Sequence, residues 1–324
     1  MRVFLTGGTG FIGTPLATTL RRRGNEVVAL VRSPAKGAAL AAVGCELIEG
    51  TVTDTAALQR GMAGADAVIH AAGLYEVGIP KRRRPALFET NVEGTRRVMT
   101  AAADAGIARV VYVSTVNALG NTHGEVGDET TEHHGRYVST YDETKHQAHE
   151  IAEQAARDGL PCVIAMPSAV YGPGDHSQIG VAIRLFLARR MPAVPLPGTG
   201  LSFVYLDDVV TGLVAVLDSG VLGEKYILSG ENSTMRGLIE TLASVTGRRA
   251  PRLDVPTGLL RLIAPLGPVV GPPMGMAPNI RELITAGDGV TYWARHDKAT
   301  AELGYRPRSL IEGLRTMLAA QERP

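Results

Sequence analysis

Hydrophobic residues along the first half of the chain alternate between short β-branched runs and longer stretches with helical spacing. The short runs are almost continuously apolar, as expected for strands buried on both faces of a parallel sheet. They predict strands at 2–6, 26–31, 45–48, 66–70, 109–114 and 161–166. The longer stretches predict helices at 11–23, 86–105 and 140–157. This alternation predicts right-handed βαβ units, and therefore an α/β fold with a Rossmann-type doubly wound parallel sheet.

The second half of the chain has a less regular pattern, in which glycine and proline clusters separate short amphipathic stretches. Helical spacing predicts helices at 178–190, 207–218, 233–246 and 309–320. We therefore predict a larger domain over residues 1–170, with further sheet elements from about 200–232, and a smaller lobe over most of 171–324.

Composition narrows the class of protein only a little. The 324 residues carry a formal net charge of +1, which gives no support for a nucleic-acid partner. Cys45 and Cys162 are too few for a disulfide framework or a four-ligand metal site. The apolar segment 256–276 is broken by prolines and does not predict a membrane span. Because a strand pattern follows Met1 directly, without a signal peptide, we expect a cytoplasmic protein with no membrane partner.

A glycine-rich turn, TGGTGFIG at 6–13, joins the first predicted strand to the first predicted helix. Gly7 suits the tight turn, Gly10 lets a pyrophosphate approach the backbone, and Gly13 lets the helix pack close to the sheet. The helix N-terminus then offers free N–H groups to phosphate. In this context the spacing predicts that residues 1–170 bind a dinucleotide, although such a turn can also be purely structural.

The end of the second predicted strand indicates which dinucleotide is preferred. NAD sites usually carry an acidic residue here, which holds the ribose 2′-hydroxyl. This chain has ALVRSP at 29–34, with Arg32 and no acid. A guanidinium suits a 2′-phosphate through its charge and paired N–H donors, so we favour NADP over NAD. The alternative is an ordinary exposed loop arginine.

Tyr141 and Lys145 are four residues apart in the predicted helix 140–157, and side chains at this spacing are neighbours on any helix. Alone, the pair is compatible with a solvated helix face. In carbonyl reduction it has a chemical use, because a proton must reach the oxygen as hydride reaches the carbon. A phenol with a pKa of about 10 releases its proton slowly at neutral pH, and we expect the neighbouring ammonium, together with the positive nicotinamide ring of the oxidised complex, to lower that pKa.

A series of motifs runs in order along nearly the whole chain. They are TGGTGFIG (6–13), HAAG (70–73), NVEGTRRV (91–98), YVSTVNALG (112–120), YDETK (141–145), PSAVYGPGD (167–175), FVYLDDVV (203–210) and HDKATAELGYRP (296–307). This series resembles the extended branch of the short-chain dehydrogenase/reductase superfamily, also called the NAD-dependent epimerase/dehydratase family. The resemblance implies a Rossmann-type domain and a smaller C-terminal lobe that binds a small-molecule substrate.

The resemblance also implies roles for particular residues. Tyr141 matches the general acid or base, and Lys145 supports it and holds the nicotinamide ribose. Thr115 matches the residue that hydrogen-bonds the substrate oxygen. Asn91 matches the residue that positions a water molecule of the proton relay. The positions matching cofactor contacts are Gly7, Gly10, Phe11, Ile12, Gly13, Arg32, Thr51, Val52, Ala71, Ala72, Gly73, Lys145, Pro167 and Val170. A homodimer through the helices of Asn91 and Tyr141 is expected from the resemblance.

Three departures from the family pattern bear on the substrate. Thr51 and Val52 replace the usual Gly-Asp-hydrophobic stretch at the adenine contact, and Met166 replaces an arginine. Ser202 stands where nucleotide-sugar enzymes often carry a basic residue. The departures favour similarity to dihydroflavonol-reductase-like and 3β-hydroxysteroid-dehydrogenase-like members, which act on less polar substrates. We predict that the residues lining the substrate pocket are Tyr75, Ser168, Met274 and Met276.

Two further clusters have competing interpretations. His146, His149 and Glu150 have metal-like spacing on one helix, but no further ligands complete a site, so we predict no metal. The basic run KRRRP at 81–85 reads as a solvated loop, or as a contact to an anionic substrate or cofactor phosphate near the pocket mouth.

Three functions remain open from the sequence. The favoured one is an NADP-dependent carbonyl reductase or alcohol dehydrogenase that acts on a partly apolar small molecule. The second is a nucleotide-sugar epimerase or dehydratase that retains NAD⁺. The third is a non-catalytic dinucleotide-sensing protein, although relatives of that kind tend to lose the Tyr and Lys that this chain keeps.

Overall fold

The computed structural model describes residues 1–134, 136–267 and 279–321. The strands are β1 (Arg2–Thr6), β2 (Glu26–Val31), β3 (Glu46–Glu49), β4 (Ala67–His70), β5 (Arg109–Val113), β6 (Cys162–Pro167), β7 (Ala169–Tyr171), β8 (Ala193–Val194), β9 (Gly200–Tyr205), β10 (Lys225–Leu228), β11 (Glu231–Thr234), β12 (Leu253–Asp254) and β13 (Thr291–Tyr292). The α-helices are α1 (Gly13–Arg22), α2 (Ala38–Ala42), α3 (Thr55–Met62), α4 (Arg84–Phe88), α5 (Gly94–Asp104), α6 (Thr140–Arg157), α7 (Gln178–Leu187), α8 (Leu206–Ser219), α9 (Met235–Thr246), α10 (Thr257–Ile263), α11 (Ile280–Gly287), α12 (Asp297–Leu303) and α13 (Leu310–Gln321).

A seven-stranded parallel sheet, in the order β10-β6-β5-β4-β1-β2-β3, forms the centre of the fold. The chain winds outward in both directions from β1, so the strand order reverses between β1 and β4. In open α/β sheets, ligands bind at the carboxyl ends of the strands beside such a reversal. The predicted Rossmann-type doubly wound sheet is confirmed, and it places the crevice next to Thr6 and His70.

Both faces of this sheet are covered, which explains the continuous apolar runs. In β1, the side chains of Val3 and Leu5 enter one hydrophobic cluster, while Phe4 enters the other. All three are fully buried. Because successive side chains in a strand point to opposite faces, a strand between two helical layers has no polar face.

Some predicted boundaries differ from the structure. The helix predicted at 86–105 is divided into α4, a π-helical turn at Glu89–Glu93, and α5. The helix predicted from 233 begins at Met235, because 231–234 pairs with β9 in a second, four-stranded sheet. The Thr234 side chain caps α9 by accepting from the Gly237 N–H. None of the described helices is long and apolar enough to cross a membrane. The division into a cofactor domain and a substrate lobe stays a prediction.

Candidate functional site

The glycine turn between β1 and α1 leaves room for a phosphate. Gly7 has a φ of +75°, and a Cβ there would lie 2.5 Å from the Ala71 carbonyl carbon. A Cβ on Gly13 would lie 2.0 Å from the Gly7 oxygen, so both positions exclude larger residues. Gly10 is exposed, and the Ile12 side chain makes no capping hydrogen bond to α1. In the first turn the Thr14 N–H donates to the Gly10 carbonyl at 3.0 Å and Pro15 has no N–H, so among the described residues the N–H groups of 11–13 are the ones left for a phosphate.

The other predicted cofactor residues lie around the same sheet edge. Arg32 follows the last residue of β2, is exposed, and has no hydrogen-bond or ion-pair partner among the described residues. Thr51 is exposed, whereas Val52 is buried against Gly94, where a Cβ would lie 2.5 Å from its Cγ2. Phe11, Ile12, Ala71 and Val170 pack partly buried against one core cluster. Pro167 ends β6, and Ala72 and Gly73 follow β4.

The π-helical turn carries Asn91, which is almost fully buried. Its Oδ1 accepts from the Leu74 N–H at 2.8 Å, and its Nδ2 donates to the Leu74 carbonyl at 3.1 Å. The Nδ2 also donates to Thr144 Oγ1 at 3.0 Å. Asn91 thus ties the loop after β4 to α6, and this use of both amide hydrogens differs from a role limited to holding a water. Single π turns inside helices occur frequently at functional sites.

Lys145 lies in the interior beside the end of β5. Its Nζ donates to the Val113 carbonyl at 3.1 Å and to the Tyr112 hydroxyl at 3.4 Å. A Cβ on Gly73 would lie 3.9 Å from this Nζ, so the ammonium borders the loop after β4. Burial lowers the pKa of Lys145 to about 8. Lys145 therefore loses its charge at a lower pH than an exposed lysine does, and it lies near the crevice.

Tyr141 is buried one helical turn before Lys145, and its ring meets the Tyr75 ring edge-on at a centroid distance of 4.8 Å. Burial raises the pKa of Tyr141 above that of an ordinary phenol, and the hydrogen bond with Thr115 acts in the opposite direction. The lowered pKa predicted from the sequence is therefore not found in the protein alone. The reason is that the Lys145 ammonium is bound to Tyr112 and the backbone, and desolvation dominates.

A buried hydrogen-bond network beside Tyr141 was not predicted from the sequence. The Asp142 carboxylate accepts from Tyr292 Oη at 2.6 Å and from Asn117 Nδ2 at 3.1 Å. Asn117 in turn accepts from Thr115 Oγ1 at 3.2 Å. Burial raises the pKa of Asp142 to about 6, despite these hydrogen bonds. The network fixes Thr115 relative to the helix that carries Tyr141.

A second buried network lies further along α6. Ser114 Oγ is 2.8 Å from His149 Nδ1, and His149 Nε2 is 3.3 Å from Glu153 Oε1. Lys225 completes the series at 2.7 Å from the same Glu153 oxygen. Desolvation lowers the pKa of His149, so the ring is neutral near pH 7. The arrangement ties β5, α6 and β10 together.

The histidines of α6 therefore have partners other than a metal ion. His146 Nδ1 hydrogen-bonds the Ala118 carbonyl at 2.9 Å, and His149 is used as above. Glu150 is 3.6 Å from His146 Nε2. Within residues 1–134, 136–267 and 279–321, no group of three or more His, Cys, Asp or Glu side chains is placed to hold a metal.

A cavity of about 350 Å³ opens beside Tyr75, which is half exposed. Its walls include Val77, Ile79, Arg82 and His176. Ser168 lies elsewhere, directly after β6, and its buried Oγ has no hydrogen-bond partner among the described residues. A hydroxyl in this position at the sheet edge can bond a polar group of a dinucleotide or substrate. Met274 and Met276 lie outside the described residues.

Comparisons with known proteins show the family and the fold. The model of the NAD dependent epimerase/dehydratase family matches residues 3–229. A putative dihydroflavonol 4-reductase of Synechocystis sp. is 33% identical, covering 96% of this chain and 92% of the relative. A 3-beta-hydroxysteroid dehydrogenase of Mycolicibacterium neoaurum is 27% identical, covering 78% and 72%. The dTDP-glucose 4,6-dehydratase of Streptomyces venezuelae, solved with NAD bound, superposes with a TM-score of 0.77 at 26% identity, covering 100% of this chain and 98% of that one.

The chain belongs to the NAD dependent epimerase/dehydratase family, within the extended short-chain dehydrogenases/reductases. It is an NAD(P)-dependent enzyme of the oxidoreductase or epimerase type. The resemblance predicted from the ordered motifs, including its similarity to the dihydroflavonol-reductase and hydroxysteroid-dehydrogenase members, is confirmed.

Proposed function

We propose that the protein is an NADP-dependent carbonyl reductase, working in reverse as an alcohol dehydrogenase, on a partly apolar small molecule. The observation that carries this proposal is the buried pair of Tyr141 and Thr115 at the carboxyl end of β5, with the Lys145 ammonium beside it. The relative named as a dihydroflavonol 4-reductase supports the direction of the reaction.

Proton transfer in this proposal runs through Tyr141. Its raised pKa keeps the phenol protonated at neutral pH, which is the form that a reductase needs at the carbonyl oxygen. The Thr115 hydroxyl, which donates to Asn117 Oδ1 at 3.2 Å in the protein alone, would turn its single proton to the same oxygen and orient it. When bound, the nicotinamide supplies hydride to the carbonyl carbon. Lys145 lies one helical turn away; its ammonium, which binds Tyr112 and the Val113 carbonyl in the protein alone, would stabilise the phenolate left after proton transfer by turning toward it.

The choice of NADP rests on Arg32. Its exposed guanidinium stands at the end of β2, beside the crevice. A free guanidinium binds a 2′-phosphate bidentately, whereas a 2′-hydroxyl gains little from it.

A nucleotide-sugar epimerase or dehydratase is the competing function, favoured by the superposition on the Streptomyces enzyme. Ser202 argues against this competing function, since nucleotide-sugar enzymes often carry a basic residue at this position. Here Ser202 is fully buried in β9, and its Oγ accepts from the Ala294 N–H at 2.9 Å and donates to the Tyr292 carbonyl at 3.3 Å. A residue so enclosed in the second sheet does not face a diphosphate.

The test is a titration of purified protein with NADPH, NADH and NAD⁺, after checking for cofactor that co-purifies. We expect an empty protein that binds NADPH at least about tenfold more tightly than NADH, a difference that Arg32→Ser removes. Arg22→Ser, which changes an exposed arginine at the end of α1, is the matched control. Tightly retained NAD⁺ would instead favour the epimerase or dehydratase.

A further inference from the structure

We propose that the cavity beside Tyr75 binds a carboxylate on the substrate, so that the enzyme reduces partly apolar oxo acids. This inference rests on the proposed reductase function and names its substrate class. The cavity is next to the reacting groups, because the Tyr75 ring forms part of its wall and also contacts the Tyr141 ring at 4.8 Å. A substrate whose carbonyl lies at Tyr141 therefore extends past Tyr75 into the cavity.

The basic run at 81–84 supplies the charge. Arg83 is paired with Glu76 at 2.6 Å, and Arg84 lies 3.9 Å from Glu282. Arg82 lines the cavity and makes no ion pair or hydrogen bond within the part of the chain that the structure describes. Residues 268–278, which lie outside the described part of the chain, contain no Asp or Glu.

The remaining walls indicate a ligand that is apolar except at one end. Val77, Ile79 and Pro80 give one apolar side, and Ile79 is buried. His176 and Ser177 add polar groups to the lining. Because Glu76 offsets the charge of Arg83, Arg82 is the one arginine of the lining whose charge no described acid offsets. A single free guanidinium matches a monoanion such as a carboxylate better than a diphosphate, which carries more charge.

Binding can be measured without turnover. Purified protein, saturated with whichever dinucleotide it binds, is titrated calorimetrically with octanoate and with the neutral analogue 1-octanol. We expect octanoate to bind more tightly than octanol, and Arg82→Gln to weaken octanoate about tenfold without changing octanol. Lys81→Gln is the matched control, since Lys81 belongs to the same turn but does not line the cavity.

The outcomes are distinct. The proposal would be overturned if octanoate bound no more tightly than octanol. It would also be overturned if octanoate bound Arg82→Gln and wild type with equal affinity. An equal loss in Lys81→Gln would also overturn it, since long-range attraction alone would then explain the effect. Arg82→Lys, which retains the charge, is expected to recover part of the affinity. Reduction of oxo acids against their methyl esters then tests the reductase function separately: absence of any turnover, with the octanoate result intact, refutes the reductase function and not the anion site.

Discussion

The two ends of α6 both place hydrogen-bonded polar side chains in the interior, yet they differ in the charge state that the interior favours. Near its C-terminal half, His149 lies between Ser114 and Glu153, and Glu153 is held in turn by Lys225. At its start, Tyr141 is buried against the Tyr75 ring with its pKa raised.

The ionisable groups of the two ends differ in the charge state that their surroundings favour. In the C-terminal half, hydrogen bonds with His149 and Lys225 lower the pKa of Glu153 to about 2 and hold it charged. His149 itself stays neutral within this closed series of hydrogen bonds. At the start of the helix, burial lowers the pKa of Lys145 to about 8 and raises that of Asp142 to about 6, which brings both toward neutrality. Perturbed pairs beside a crevice are typical of catalysis, whereas closed networks stabilise a fold. The comparison predicts that substitutions at one end change turnover, and at the other end stability.

Lys145→Met is expected to have the largest effect. Losing the ammonium should lower kcat by about a hundredfold or more. The same change should raise the free energy of unfolding at pH 7 by about 1–3 kcal/mol, because the folded-state pKa of about 8 lies below the value of 10.5 for a free lysine. In wild type the cost of burying the ammonium disappears as the pH rises from about 8 to 10.5, so wild type should gain stability over this range and the variant should not. Denaturation at pH 7 and at about pH 10.5 checks the stability, and a kcat measurement checks the catalytic effect. A variant that is less stable than wild type at pH 7 would contradict the account.

Asp142→Asn is expected to change how stability depends on pH. The carboxyl has a folded-state pKa of about 6, above the value of 3.8 for a free aspartate, so its contribution to stability is fully present below about pH 3.8 and is lost as the pH rises through about 6. Wild type should lose about 2 kcal/mol relative to the variant between about pH 4 and 7.5. Urea denaturation of both proteins across this range measures the difference. Asp66→Asn, at an exposed position, is the control, and parallel stability curves for wild type and Asp142→Asn would refute the assignment.

His149→Phe is expected to have the smallest effect on catalysis. Ser114 and Glu153 would each lose a hydrogen-bond partner, which should cost about 1–3 kcal/mol of stability. We expect kcat to stay within about threefold of wild type, since Tyr141 and Lys145 keep their contacts. Thermal unfolding and steady-state kinetics on the same preparation check this. A hundredfold loss of kcat with unchanged stability would place His149 in the reaction and end the contrast between the two halves of α6.

Local signals in the sequence were enough for the sheet and for the glycine turn. Apolar runs mark strands because both faces of the sheet are covered, and Gly7 and Gly13 are required by contacts within a few residues or one neighbouring strand. The ordered motifs placed Thr115, Tyr141 and Lys145 at one sheet edge. Their chemical roles remain predictions.

Other features depend on contacts between residues far apart in the chain. Tyr292 reaches Asp142 across 150 positions, and no local pattern at either residue signals that hydrogen bond. The π turn at Asn91 interrupts a helix that the hydrophobic spacing predicts as continuous, because the amide binds Leu74 and Thr144. The raised pKa of Tyr141 in the protein alone could not be predicted either, since its burial cannot be read from the spacing to Lys145; the lowered pKa expected with the oxidised cofactor bound stays a prediction.

The central claim is that Tyr141 carries the proton for carbonyl reduction. The most direct measurement is kcat for NADPH-dependent reduction of a ketone substrate by Tyr141→Phe, with Tyr137→Phe as the matched control on the preceding loop. The account predicts a loss of about 10²–10⁴-fold for Tyr141→Phe, with the fold and NADPH affinity retained, and no loss for the control. A Tyr141→Phe enzyme that keeps more than about a tenth of wild-type kcat would contradict it.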